Sequence, residues 1–289
     1  MENAGSEKQN SFNLLEDRIG RLANARFGEP TDIQNKVIPL VMQGKDVLAI
    51  APTGFGKTES AFLPVLSKLL EAQEKENNSS GIRFLYITPL KALNRDMLER
   101  MKYWCKLTGV SLAVRHGDTT SGERVKQRDN PPQVLVTTPE TLNSLLIGPL
   151  RNSLRNVRWL VIDEVHELVD SKRGTQLATA IERLKERVKE AQQANTSFSG
   201  KNLVVERQNA VIEEKTTAGE QKTPSVQVIG LSATVGSPEK VAKFVSHTAI
   251  AVRSELERKI DLKIEFPTKG AFDLNKLWKL DEQSSARVA

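Results

Sequence analysis

The chain has 289 residues, 38% of them hydrophobic, enough for a buried core in one large domain or two small ones. Forty-two Lys and Arg against 36 Asp and Glu leave a formal charge of +6, which suits a polyanionic partner without requiring one. One cysteine, Cys105, excludes a disulfide framework, a Cys-rich zinc site and a four-cysteine iron–sulfur cluster, and with no apolar leader and no apolar run of membrane-spanning length the chain is expected to be soluble and cytoplasmic.

The first predicted strand, Val47 to Ala51, runs into Ala51-Pro52-Thr53-Gly54-Phe55-Gly56-Lys57-Thr58. A helical pattern follows at Phe62, Val65, Leu66, Leu69 and Leu70. Strand, Gly-rich turn and helix form the context of a phosphate-binding loop. Gly54 and Gly56 let successive N–H groups curl inward at phosphate oxygens, aided by the positive end of the helix. Lys57 would reach the β and γ phosphates and Thr58 would offer its hydroxyl to Mg²⁺. Ala51 stands where the commonest form of this loop has Gly, and a Gly-rich strand-to-helix turn is the plainer alternative. Pro64, inside the helical pattern, is expected to kink or loosen it.

Further strands are predicted at Phe84 to Thr88, Leu112 to Val114, Val134 to Thr137, Leu160 to Ile162 and Val226 to Leu231. Helical spacing appears at Leu93, Met97, Met101 and Trp104, and again at Leu177, Ile181, Leu184 and Val188. Apolar strands alternating with helices predict an α/β fold with a parallel sheet covered on both faces. From Gln192 to Thr223 the chain turns polar and aperiodic, as in a mobile surface insertion, with a short hairpin or helix at Leu203 to Glu214. Alternation returns at Ile260, Leu262, Ile264 and Phe266.

The strand Trp159 to Ile162 ends in Asp163-Glu164-Val165-His166, which puts two carboxylates at the carboxyl edge of the sheet, where open α/β sheets bind ligands. Asp163 would hold Mg²⁺ through water, and Glu164 would polarise the water that attacks a γ phosphate. Adjacent acids at a strand end are otherwise a solvated turn. Loop and acids together specify nucleoside triphosphate hydrolysis. A small P-loop kinase is physically possible but has no need of a Glu beside the metal Asp.

The segments FGEPTDIQ (Phe27 to Gln34), APTGFGKTES, TPLKALNRD (Thr88 to Asp96), HGDT (His116 to Thr119), TTPETL (Thr137 to Leu142), DEVH and LSATVG (Leu231 to Gly236) resemble, in order and spacing, the motifs of superfamily 2 helicases. The combination of PLKALN, RHGDT and DEVHELVDSKRG most resembles the large helicase-related (Lhr) group of DNA helicases, over roughly residues 25 to 250. The resemblance implies a three-layer RecA-like P-loop NTPase domain over residues 1–252 that binds ATP and Mg²⁺. It makes Gln34 the reader of the adenine edge with Phe27 near the base, and adds Thr53, Phe55 and Glu59 to the nucleotide cradle. His166, Ser232 and Thr234 would couple the nucleotide to the nucleic acid.

The loops at Thr88 to Asp96 and Thr137 to Leu142, assigned to the opposite rim of the sheet, would take backbone phosphates of a strand, DNA in preference to RNA, without reading sequence. Pro89, Lys91, Arg115, Thr138 and Pro139 are the expected contacts. Residues 91–128 hold nine Lys or Arg against Asp96, Glu99, Asp118 and Glu123, a local excess of +5. Such a run is commonly just a solvated face; its overlap with those loops favours a backbone track. The family's second RecA-like domain places its arginines in a glycine-flanked motif. After Gly236 only Gly270 remains, and Arg253, Arg258 and Arg287 stand in no such setting. Residues 253–289 are therefore expected to be a linker and the truncated start of a second RecA-like domain, supplied in cis or in trans.

Overall fold

A computed structural model of the chain describes residues 10–75, 81–89, 95–205, 226–233 and 236–254. All lie in the first of two compact units, Met1–Glu255; the second, Leu256–Ala289, is outside the described residues, and with it the alternating run from Ile260 to Phe266.

Seven strands form one sheet: β1 (Val47–Ile50), β2 (Phe84–Ile87), β3 (Leu112–Arg115), β4 (Val134–Thr137), β5 (Trp159–Ile162), β6 (Gln227–Ser232) and β7 (Ile250–Arg253). Their order is β3-β4-β2-β5-β6-β1-β7 and every pairing is parallel. Successive side chains point to opposite faces. Val47, Ala49, Phe84, Tyr86, Val161 and Leu231 enter one apolar layer, while Leu48, Ile50, Leu85, Ile87, Leu160 and Ile162 enter the other. The first layer is covered by α1 (Asp17–Phe27), α2 (Asp32–Met42), α3 (Lys57–Lys75) and α4 (Arg95–Thr108). Past α5 (Ser121–Asp129), which ties to β3 through Gln127, the second is covered by α6 (Pro139–Ile147), α7 (Lys172–Val205) and α8 (Pro238–Val245). The result is the expected three-layer α/β architecture. Among the described residues no helix is long and apolar enough to cross a membrane.

α3 contains Pro64 and continues past it to Lys75. Its Phe62, Leu63, Val65 and Leu66 are buried, and at about 1.5–3 kcal/mol per such side chain this outweighs the ~3 kcal/mol a helix-interior proline costs. β7 was not foreseen, because an edge strand that is largely exposed carries no unbroken buried run. It pairs with β1 from Val47↔Ile250 to Ile50↔Arg253, and beyond it the Ser254 N–H donates to Ile50 O at 3.0 Å. α7 continues as helix to Val205, so the first part of the polar segment is helical, whereas most of Leu203 to Glu214 falls outside the described residues. Because every strand is parallel, the loops after β1, β2, β4 and β5 all leave the same carboxyl edge; the assignment of Thr88 to Asp96 and Thr137 to Leu142 to an opposite rim is therefore wrong.

Candidate functional site

The turn after β1 is left-handed at Gly54 (φ +85°) and Gly56 (φ +78°), where a side chain would be strained. A Cβ at Gly56 would also collide with the Gln34 amide, so α2 presses closely on the loop. That contact is built by a capping box at the start of α2. The Thr31 N–H donates to Gln34 Oε1 at 2.9 Å and the Gln34 N–H to Thr31 Oγ1 at 3.4 Å. Thr31 Oγ1 then donates to Phe55 O at 3.0 Å, and Gln34 Nε2 to Gly56 O at 3.2 Å. Gln34 is buried, with one amide N–H and one carbonyl lone pair uncommitted among these contacts.

At the first turn of α3, Lys57 Nζ donates to Ala51 O at 2.6 Å. Burial holds this ammonium below the usual lysine range, against the opposing pull of Glu164 and Asp163. The acids come from the end of β5, separated from β1 only by β6. Asp163 is buried; its Oδ2 accepts the Tyr86 hydroxyl at 2.7 Å and its Oδ1 the Glu164 N–H at 2.9 Å. Desolvation pushes its carboxyl up to about 6, with Glu164 adding to the rise while the Tyr86 hydrogen bond opposes it. Glu164 is left-handed (φ 48°), an uncommon state for this residue and one that turns the chain sharply off the strand.

Thr53, Gly54, Gly56, Lys57, Thr58, Glu59, Asp163 and Glu164, with Gln34 and Phe27 to one side, line a cavity of about 420 Å³, a size suited to a small ligand. Phe27, 39% exposed, stacks at a tilt on Trp104 with ring centroids 6.0 Å apart. Phe55 turns back onto the apolar layer and gives the site its carbonyl rather than its ring. Glu59 is buried and paired with Arg100 at 2.8 Å. Thr58 and Asp163 form an oxygen donor set that fits Mg²⁺. Among the described residues no three His, Cys, Asp or Glu side chains gather, so a cation here would complete its coordination with water and phosphate, as Mg²⁺ does.

His166 sits beyond the acids. Its Nδ1 lies 3.3 Å from Glu164 Oε2, 3.3 Å from Ser232 Oγ and 3.4 Å from the Ala233 N–H. A bare Nδ1 accepts from Ala233; a protonated one faces Glu164. The two contacts exclude each other, so this ring can report on both the β5 and β6 ends. Thr234 and Lys91 lie outside the described residues.

Further along the same rim, Thr88 and Pro89 are buried at the end of β2, and among the described residues Thr88 Oγ1 has no hydrogen-bond partner. Thr138 holds the N-cap position of α6 without capping it, its Oγ1 3.0 Å from Thr141 Oγ1, and Pro139 is the first helical residue. Arg115, at the end of β3, is engaged by Gln127 at 3.2 Å. The sequence reading missed Glu29, Met97, Arg100 and Thr31 in the cavity wall and Tyr86 beneath it. Only Thr31 had a local signal, the T-x-x-Q spacing of a capping box.

The model of the DEAD/DEAH box helicase family matches residues 31–243. The ATP-dependent helicase Lhr-Core of Sulfolobus acidocaldarius is 35% identical over 81% of this chain and 24% of its own length. The Lhr helicase/uracil glycosylase of Escherichia coli is 35% identical over 76% of this chain and 13% of its own. Helicase Lhr of Mycobacterium smegmatis, in a structure bound to ssDNA and AMP-PNP, is similar at a TM-score of 0.67 and 28% identity, over 97% of this chain and 33% of that one. The chain thus spans about a quarter of its archaeal relative and a third of the mycobacterial structure.

Proposed function

Because this chain belongs to the DEAD/DEAH box helicase family, we propose that it is the first RecA-like motor domain of an ATP-dependent DNA helicase of Lhr type. It binds ATP with Mg²⁺ in the cavity between the phosphate loop and Asp163–Glu164, and a nucleic-acid backbone farther along the same rim. The observation that carries this is the convergence of Lys57, Thr58, Asp163 and Glu164 on one cavity whose side wall holds Gln34 and Phe27.

Within that site Lys57 exchanges the Ala51 carbonyl for phosphate oxygens, and the N–H groups of the loop join it. Thr58 and Asp163 would hold Mg²⁺, which when bound neutralises phosphate charge and templates the phosphoryl group. Glu164 orients the attacking water and takes its proton, and the uncommitted N–H and lone pair of Gln34 face the adenine edge. His166, whose Nδ1 lies within reach of Glu164, Ser232 and Ala233, links the β5 and β6 ends. Among the described residues lining the cavity, Lys57 and Arg100 are the cations, and Arg100 is paired with Glu59. One uncommitted cation is little against a triphosphate, which supports a second RecA-like domain, in cis or in trans, that brings arginines to the transferring group.

Binding of a fluorescent ATP analogue tests the assignment. Lys57→Ala is expected to weaken it at least tenfold while leaving the melting temperature within a few degrees. Unchanged binding by the variant would refute the site.

A further inference from the structure

A buried polar contact beneath the cavity is made by a residue that belongs to none of the motifs. Tyr86 is the third residue of β2, fully buried, with its ring against Phe84 at 6.4 Å between centroids. β2 pairs with β5 so that Tyr86 stands opposite Val161 and Ile87 opposite Ile162, and the Asp163 N–H donates to Ile87 O at 2.7 Å. The phenol therefore reaches Asp163 from a neighbouring strand whose register is locked, and its O–H donates to Oδ2 at 2.7 Å. The other oxygen, Oδ1, is held by the Glu164 N–H at 2.9 Å. Thr58, the second oxygen donor proposed for Mg²⁺, makes a side-chain hydrogen bond to the same phenol.

A phenylalanine would fill this volume, as Phe62 and Phe84 do beside it. A buried hydroxyl needs a partner, and here the carboxylate is that partner. With both oxygens tied, Asp163 cannot swing to another rotamer. Resting on the ATP–Mg²⁺ reading of the site, we propose that Tyr86 is a positioning residue for Mg²⁺. It fixes the Asp163 carboxylate beside Thr58 so that the cation meets a prearranged pair of oxygens. It touches neither nucleotide nor cation itself. Outer partners of metal ligands commonly change metal affinity by about 10–100-fold when removed.

The test uses the full chain and a fluorescent ATP analogue, titrated with Mg²⁺ at fixed nucleotide and measured separately in EDTA. Tyr86→Phe is expected to raise the half-saturating Mg²⁺ concentration roughly tenfold and to leave the affinity in EDTA unchanged, a split that general loosening of the fold would not produce. Wild-type Mg²⁺ dependence in the variant overturns the proposal. A second comparison does not depend on the single variant's stability: Tyr86→Phe added to Asp163→Asn should shift the Mg²⁺ midpoint no further than Asp163→Asn alone. A further shift would mean that Tyr86 acts by another route and overturns the proposal as well. If the unaltered chain binds nucleotide equally with and without Mg²⁺, the ATP–Mg²⁺ reading fails and takes the positioning role with it.

Discussion

Asp163 holds a charge where the protein alone does not favour one. Its carboxyl is raised from 3.8 to about 6, mainly by desolvation. The folded value lies above the unfolded one, so between these limits the native state binds the extra proton. Stability is therefore fully present below 3.8, is lost as pH rises toward 6, and stays reduced above it. The shift corresponds to about 3 kcal/mol. Asp163→Asn is accordingly expected to raise the melting temperature of the nucleotide-free protein at pH 8 by several degrees, with the gain vanishing by about pH 4, while hydrolysis is abolished. A melting-temperature series across pH checks it; a gain that persists at pH 4 would mean that desolvation is not its source. The phosphate loop and the acidic pair were legible because each is a run of adjacent residues whose types state the chemistry. Tyr86 and Arg100 were not, because a strand pairing and a helix packing bring them to the site from 77 residues away from Asp163 and 41 from Glu59 respectively.

At the scale of elements, α2 serves the site by its first turn. Thr31 caps the helix, holds Gln34 and binds the Phe55 carbonyl. Thr31→Ala is expected to destabilise the protein by about 1 kcal/mol, the usual worth of such a cap. It should also narrow the preference for adenine over guanine nucleotides: Gln34 Oε1 keeps its bond from the Thr31 N–H, but the turn that carries Gln34 loses the hydroxyl that ties it to Phe55 O in the phosphate loop. Chemical denaturation and competition between ATP and GTP measure the two effects; a lost cap with undiminished preference would sever Gln34 from base reading. The central strands were read within about a residue, since a strand covered by helices on both faces has to be apolar throughout. β7 escaped for the converse reason: its largely exposed residues leave no unbroken apolar run. The placement of the Thr88 and Thr137 loops on the wrong rim was at odds with the parallel sheet read from the same alternation, since parallel strands joined by helical crossovers put every strand-to-helix loop at one edge.

For the molecule as a whole, the sheet order sets the cavity proposed for the nucleotide and the loops proposed to contact backbone phosphates side by side on one edge, with Asp163 at the end of β5 next to β2 and its buried Thr88. On the proposed reading, one rim would carry both ligands. If arginines from a second domain complete the site, this chain alone should hydrolyse ATP slowly, roughly 10³–10⁵-fold below a complete motor, and should not unwind duplex DNA. Its affinity for a single strand should fall steeply with salt, as expected of backbone contacts. A strand-displacement assay and a salt titration read these outcomes, and vigorous unwinding by the chain alone would refute the two-domain scheme. β7 adds a mechanical consequence. Along β1, the last backbone bond of this pairing among the described residues joins Ser254 to Ile50, next to the residue where the phosphate loop begins. Tension applied at Ser254 would load this pair of parallel strands in shear, at the root of the proposed nucleotide cradle, so traction there and grip on phosphates would bear on the same few hydrogen bonds.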